Sequence, residues 1–317
     1  MSPKADAGPK SVDSAIVLRN VTKRFGAVAA VAGVTLRIPR GAVYGLIGPN
    51  GAGKTTTFSM LAGFLQPSDG SLEVLGFPPD AVDSLRGRLG VLPQDAVLPG
   101  SDRVGPLLVH WARLQGMSAA DAHTDARNVL AEVAGREWWD TRCSALSHGM
   151  AKRVQLAQAL LGSPEVVLLD EPTAGLDPRV AYEVRQIIVK RRGRCTLVIS
   201  SHNLNELEEM CDGAAILDRG RLVMSGAIGE LTASAAEVHF ELAQGPVPLA
   251  EVRGIAVVDR ADFDESSRDL AVHFTRDRAD AERVIGEVLT VLLHHQARIS
   301  GVSKGRGLEQ RVMELTA

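Results

Sequence analysis

The stretch GPNGAGKTT, residues 48–56, decides how the rest of the chain is read. It satisfies the pattern G-x-x-x-x-G-K-[ST] through Gly48, Gly53, Lys54 and Thr55. The apolar run AVYGLI leads into it as a strand, and KTTTFSMLAGFL leads out as a helix. Glycines let backbone N–H groups curl round a phosphate, and the N-terminus of the outgoing helix adds positive potential at the same place. Lys54 is then expected to reach the β- and γ-phosphates of a nucleotide, and the Thr55 hydroxyl to ligate Mg2+. Pro49, Asn50, Gly51, Ala52 and Thr56 complete the expected cradle.

A second motif fits the first. In PEVVLLDEP four apolar residues end in Asp170 and Glu171. A buried strand there brings Asp170 to the sheet edge beside the phosphate loop, where a carboxylate holds Mg2+ directly or through water. Glu171, one residue on, is placed to orient or deprotonate the attacking water.

The whole chain narrows the choices. With 317 residues, 45% hydrophobic and 23% charged, it is long enough for one large or two medium domains. A formal charge of −3 lacks the basic footprint that nucleic-acid binding leaves, so no nucleic-acid partner is expected. Cys143, Cys195 and Cys211 stand far apart without a CxxC pair, as reduced and partly buried thiols do. No apolar run approaches the roughly 20 residues that span a bilayer. The first 14 residues, rich in Pro, Gly, Ser and charge, are expected to form a disordered tail.

From Ile16 to about Gly226, AVYGLIG, RLGVLPQ, PEVVLLDEP, CTLVISS and DGAAILD alternate with helical stretches. Several are unbroken apolar runs, which suits strands buried on both faces of a parallel-rich α/β sheet. Between Gln94 and Leu146, RVGPLLVHWARLQG and AADAHTDARNVLAEVAG carry apolar residues at three-to-four spacing, so a helical insertion is expected, with Trp111, Trp138 and Trp139 as packing residues. Near Glu237 the composition resets. EVHFELA, IAVVDRA and LAVHFTR read as strands, ADAERVIGEVLTVLLHHQ as a helix, and ARISGVSKG follows; the pattern fits a small α+β domain, a ferredoxin-like one among the options.

Taken together the motifs resemble one family, the ATP-binding cassette ATPases. VLPQD supplies Gln94 at that family's Q-loop, AGLDP supplies Asp177 at its D-loop, VISSHNLNE places His202 as the switch histidine, and KRFG places Phe25 where an aromatic ring stacks on adenine. The resemblance covers roughly Ile16 to Leu231. It implies an α/β P-loop NTPase core with an antiparallel β subdomain and a helical insertion at about 95–162, so a nucleotide-binding domain over 15–231 and an accessory domain over 237–317. Under it Glu171, His202 and Gln94 serve hydrolysis, Thr55, Gln94 and Asp170 hold Mg2+, and Ser147 and Gly149 of LSHGM complete the ATP site of a second copy or partner cassette, as Asp177 helps to do. It further implies a separate membrane permease contacted at the cytoplasmic face of the membrane. The ending GLEQRVMELTA, with Leu308, Glu309 and Leu315, and the Gly-Met form of LSHGM are similar to the drug-resistance, polysaccharide and lipid exporter branch. A soluble cassette ATPase acting on ribosomes or DNA is the alternative class; the acidic balance and the single cassette disfavour it.

LSHGM also has its own physics. Ser147 at the N-cap calls for Glu or Gln at the third helical position, and Met150 cannot return that bond, which weakens the cap by about 0.5–1 kcal/mol. The orientation of His148 is open at this level: facing phosphate its imidazolium is favoured, while at a bare helix N-terminus it is disfavoured.

Overall fold

The computed structural model describes residues 14–201, 204–232, 237–275 and 279–304. In chain order the elements are β1 (Ser14–Phe25), β2 (Val28–Pro39), β3 (Val43–Ile47), α1 (Lys54–Leu61), β4 (Asp69–Val74), α2 (Val82–Leu85), β5 (Leu89–Leu92), α3 (Val104–Leu114), α4 (Ala119–Glu132), α5 (His148–Leu160), β6 (Val166–Asp170), α6 (Pro178–Val189), β7 (Thr196–Ser200), α7 (Leu204–Met210), β8 (Gly213–Asp218) and β9 (Arg221–Ala227). They continue with α8 (Ile228–Thr232), β10 (Glu237–Gln244), α9 (Leu249–Arg253), β11 (Arg260–Asp264), β12 (Asp269–His273), α10 (Ala281–His294) and β13 (Arg298–Lys304). The chain divides into two compact units, one through Ser225 and one from Gly226.

The first unit holds two sheets. One is antiparallel, in the order β2-β1-β4; the other has the order β5-β6-β7-β3-β8-β9 and is parallel from β5 through β8. The unbroken apolar runs account for the second sheet, because β3, β6 and β7 are buried at every position. The antiparallel sheet is patterned differently. Along β2, Val34, Leu36 and Ile38 face inward while Thr35 and Arg37 face water, the two-residue period of a half-buried strand. Phe58, Met60 and Leu61 of α1 join Ile16, Leu18 and Leu72 of this sheet and Leu168 and Val198 of the other in one core.

Three neighbouring strand ends set up the site. In the parallel register Asp170, last in β6, lies opposite Ser200, last in β7, and Ser200 lies opposite Leu46 of β3, two residues before Gly48. These are carboxyl ends of parallel strands, where open α/β sheets place their ligands.

The helical insertion is α3, α4 and α5 with two short turns, Arg136–Trp138 and Cys143–Ala145. Trp138 is buried, and the Trp139 ring lies against Gly105 of α3 so closely that a Cβ there would meet it at 2.3 Å. On the same ring sits the Arg127 guanidinium of α4, 4.1 Å from its centroid. The three cysteines are free and buried, and burial pushes the thiols of Cys143, Cys195 and Cys211 up, Cys211 to about 12.

The second unit runs β-α-β-β-α-β from β10 to β13, with the antiparallel order β11-β12-β10-β13. β12 lies between β10 and β11, so β10-α9-β11 is a split βαβ unit. Val238, Phe240 and Leu242 on β10 and Leu270 and Val272 on β12 pack with Val284, Val288 and Leu292, which recur every four residues along α10. One reading is corrected here: IAVVDRA is not a strand over its length. Residues 255–259 are turn and irregular, and the strand starts at Arg260. Val257 and Val258 are apolar because they fill the core from a turn, not because they pair.

Candidate phosphate site and its catalytic acids

The loop after β3 is folded round its own lysine. Lys54 is 9% exposed, and its Nζ donates to Gly48 O at 2.6 Å and Pro49 O at 3.1 Å. Burial lowers its pKa, and the charges of Glu171 and then Asp170 counter the shift. Gly53 has φ 98° and begins α1, and a Cβ there would stand 2.6 Å from Ala30 O, so no other residue fits. Thr57 Oγ1 donates back to Gly53 O at 2.9 Å and fixes the first turn. Beside the loop lies a cavity of about 270 Å³ into which Asn50, Lys54, Thr55, Gln94, Asp170 and Glu171 all face.

Both acids are buried, Asp170 to 5% exposure and Glu171 to 9%. Burial raises the Asp170 pKa; the Ser200 hydrogen bond opposes this, Glu171 adds to it, and Lys54 and Lys152 oppose it. Glu171 takes a left-handed backbone, φ 51°, a conformation that costs a non-glycine residue about 1 kcal/mol or more. Ser200 holds both. Its Oγ donates to Asp170 Oδ1 and accepts the Glu171 N–H at 2.9 Å, and the residue has no exposure. Sequence reading missed Ser200, because its role comes from the β6–β7 register. It also missed Lys152 of α5, 6% exposed, on which Asp170, Glu171 and Asp95 act.

Gln94 is exposed at the end of β5 and lines the phosphate cavity together with a second, more apolar hollow of about 200 Å³ between α1 and residues 91–95. Phe25, 51% exposed, ends β1 on the hairpin whose return strand carries Ala30 to the cavity wall, and Lys23 Nζ stands 5.4 Å from its ring. Asp177 is exposed and caps α6, its Oδ1 accepting the Val180 N–H at 3.1 Å. Ser147 caps α5 in the same way, accepting the Met150 N–H at 3.3 Å. Neither Ser147, Gly149 nor Asp177 lines the cavity. The His148 ring turns toward its own chain, where a Cβ on Gly175 would be 3.3 Å from its Nε2. His202 lies outside the described residues, as do Leu308, Glu309, Leu315 and the N-terminal tail through residue 13.

A glycine loop closed on a buried lysine, at strand ends that also carry two buried acids, defines a nucleoside triphosphatase of the phosphate-loop class. A family model described as ABC transporter matches residues 31–174, and one described as AAA domain, putative AbiEii toxin, Type IV TA system matches residues 141–208. Nod factor export ATP-binding protein I of Burkholderia lata is 39% identical over 217 residues, 67% of this chain and 70% of that protein. The daunorubicin/doxorubicin resistance ATP-binding protein DrrA of Streptomyces peucetius is 30% identical over 295 residues, 91% of this chain and 80% of the relative. Among solved structures, CbiO1 of Clostridium perfringens, part of the ABC transporter complex CbiONQ, superposes with a TM-score of 0.63 at 27% identity, covering 70% of this chain and 92% of that one. The chain belongs to the family of ABC transporter ATP-binding proteins, and it binds and hydrolyses ATP as the cassette subunit of such a transporter.

Proposed function

We propose that this chain drives export through separate membrane subunits and that two copies, or this cassette and a partner cassette, share their ATP sites. One observation carries the pairing: Ser147 and Gly149 present an exposed, capped helix N-terminus that does not line the chain's own phosphate cavity. A helix N-terminus with free N–H groups suits phosphate, so the reading gives this half-site, together with Asp177, to the ATP of the second cassette.

In each site the Gly48–Thr56 loop wraps the phosphates, and Lys54 leaves the carbonyls of Gly48 and Pro49 for the β- and γ-phosphates. Thr55, Gln94 and Asp170 would hold Mg2+, which neutralises phosphate charge. Their oxygen donors suit a hard cation, and the phosphates must supply further ligands, since no group of three or more His, Cys, Asp or Glu among the described residues forms a cage. Glu171 takes the proton of the attacking water, with Gln94 and His202 orienting that water, and Phe25 stacks on adenine through its exposed face.

Export rests on the relatives named for Nod factor export and drug resistance and on the exporter-like chain ending. No helix of the described residues is long and apolar enough to cross a membrane; in this reading a separately encoded permease carries the cargo path and holds this subunit at the cytoplasmic membrane face. The apolar hollow beside Gln94, with Phe64 65% exposed at its rim, suits a cytoplasmic segment of that permease. The cassette is taken to span 15–231 and the accessory domain 237–317. Glu171→Gln tests the pairing: with the base gone and the phosphate contacts kept, ATP should shift the protein to a dimer in size-exclusion chromatography. A variant that binds ATP and stays monomeric refutes the shared site.

A further inference from the structure

We propose that Lys152 is a positioning residue that couples the catalytic acids of one subunit to the half-site the same subunit offers its partner. The inference rests on the two-cassette reading above and adds a residue and a route to it. Lys152 stands on α5, in the helical insertion, yet its side chain is buried to 6% exposure. A buried ammonium is kept only where charges compensate it. Those charges are Asp170, Glu171 and Asp95: α5 packs against β5 and β6, which sets its lysine in the field of the acids at and just after the end of β6 and of the residue after Gln94.

The attachment is not to Lys152 alone. Gln155, three residues along and therefore on the same helix face, is 9% exposed and donates Nε2 to Ala96 O at 2.7 Å. The far end of the same helix is the half-site: Ser147 caps it, and a Cβ on Gly149 would touch Val180 Cγ1 at 3.1 Å. Five residues at 1.5 Å each separate Ser147 from Lys152, about 7.5 Å along the axis. Between Met150 and Leu160 there is neither glycine nor proline, so the helix moves as one piece.

Charge makes the link conditional. Lys152 and Lys54 both act on Asp170 and Glu171. A nucleotide draws Lys54 to its phosphates and away from the acids, so the pull of the acids on Lys152 changes when nucleotide binds. That difference is what an element needs to report occupancy. It acts on the helix whose N-terminus meets the other ATP.

Methionine is one heavy atom shorter than lysine and removes the charge with its N–H donors; the acids that faced it stay, so the variant gives up part of their compensation and its thermal stability is read alongside its activity. Full-length wild type, Lys152→Met and Lys152→Arg are compared for ATP binding by equilibrium dialysis, for the ATP dependence of hydrolysis, and for thermal stability without nucleotide; Lys152→Gln replaces the methionine variant if the latter misfolds. Wild type is expected to hydrolyse ATP cooperatively. Lys152→Met should bind ATP within about threefold of wild type while kcat falls at least about tenfold, a barrier change near 1.4 kcal/mol. Its Hill coefficient should fall to about 1, and Lys152→Arg should restore both. Wild-type kcat and cooperativity in Lys152→Met overturn the coupling, as does a parallel loss of ATP binding, which makes Lys152 part of the binding wall. Non-cooperative wild type without an ATP-induced dimer overturns the pairing itself, and the coupling with it, before any variant is made.

Discussion

Ser200→Ala removes a single oxygen that holds both catalytic acids. In the native site that oxygen donates to a buried carboxylate and accepts a buried amide at 2.9 Å. A hydrogen bond to a charged group is worth about 1.5–3 kcal/mol, and withdrawing the acceptor of a buried amide costs about 1–3 kcal/mol. Some relaxation is available at a strand end, so a net loss of about 3 kcal/mol is expected. At about 2–4 °C per kcal/mol for a unit of this size, calorimetry without nucleotide should show the first unit melting about 6–12 °C lower. The pH dependence has a definite sign. Burial already holds the Asp170 pKa above its unfolded value, and loss of the Ser200 bond raises it further. A raised carboxyl favours the fold below the unfolded pKa and loses that contribution as pH rises through the folded pKa. The deficit of Ser200→Ala should therefore grow from acid toward neutral pH. Turnover should fall as well, since Glu171 is no longer held in its left-handed conformation, and Ser200→Thr, which keeps the hydroxyl, should preserve the pH dependence. A variant that melts within about 2 °C of wild type at neutral pH refutes the reasoning.

Three further outcomes are expected. Met150→Gln supplies the reciprocal bond to the Ser147 amide and should stabilise the first unit by about 0.5–1 kcal/mol, read as a rise in melting temperature. His148→Gly should keep ATPase activity within about threefold and leave its pH profile unchanged, because the ring faces Gly175; abolished turnover sinks this. Tyr44 is buried, donates to Ala214 O at 3.0 Å, and has its pKa raised by burial to about 12. Its unfolded form ionises first, so stability is lost between about pH 10 and 12. The gap between wild type and Tyr44→Phe in chemical denaturation should narrow across that range.

The parts of the fold that were legible are those where one local pattern has one physical meaning. GPNGAGKTT needs its glycines for the loop itself, and VVLLD and TLVIS have no polar face to turn to water. What was not legible depends on which strand lies next to which. Ser200 is one of two adjacent serines, and only its register opposite Asp170 gives it a role. Lys152 reads as a surface lysine on a helix until α5 is set beside β6. The run at residues 255–258 failed for another reason: apolar residues report burial, and burial in a turn looks the same as burial in a strand. The five residues of α9 are too few to display a helical period. His148 was undecidable because nothing local determines where a ring at the first helical position points.

The aromatic clamp in the helical insertion has a mechanical consequence. Trp139 is gripped between Gly105 and Arg127, Gly105 N–H bonds Trp139 O at 2.8 Å, Val104 N–H bonds Thr141 O at 3.1 Å, and Cys143 N–H bonds Asp102 O at 2.8 Å. The start of α3 and the run leading toward α5 are thus stitched into one stiff block. Such a block has little internal give at the place where a glycine and an indole meet. A side chain added at position 105 would have to push the indole aside or part the Gly105–Trp139 backbone bond, loosening this block while leaving every residue that lines the phosphate cavity in place.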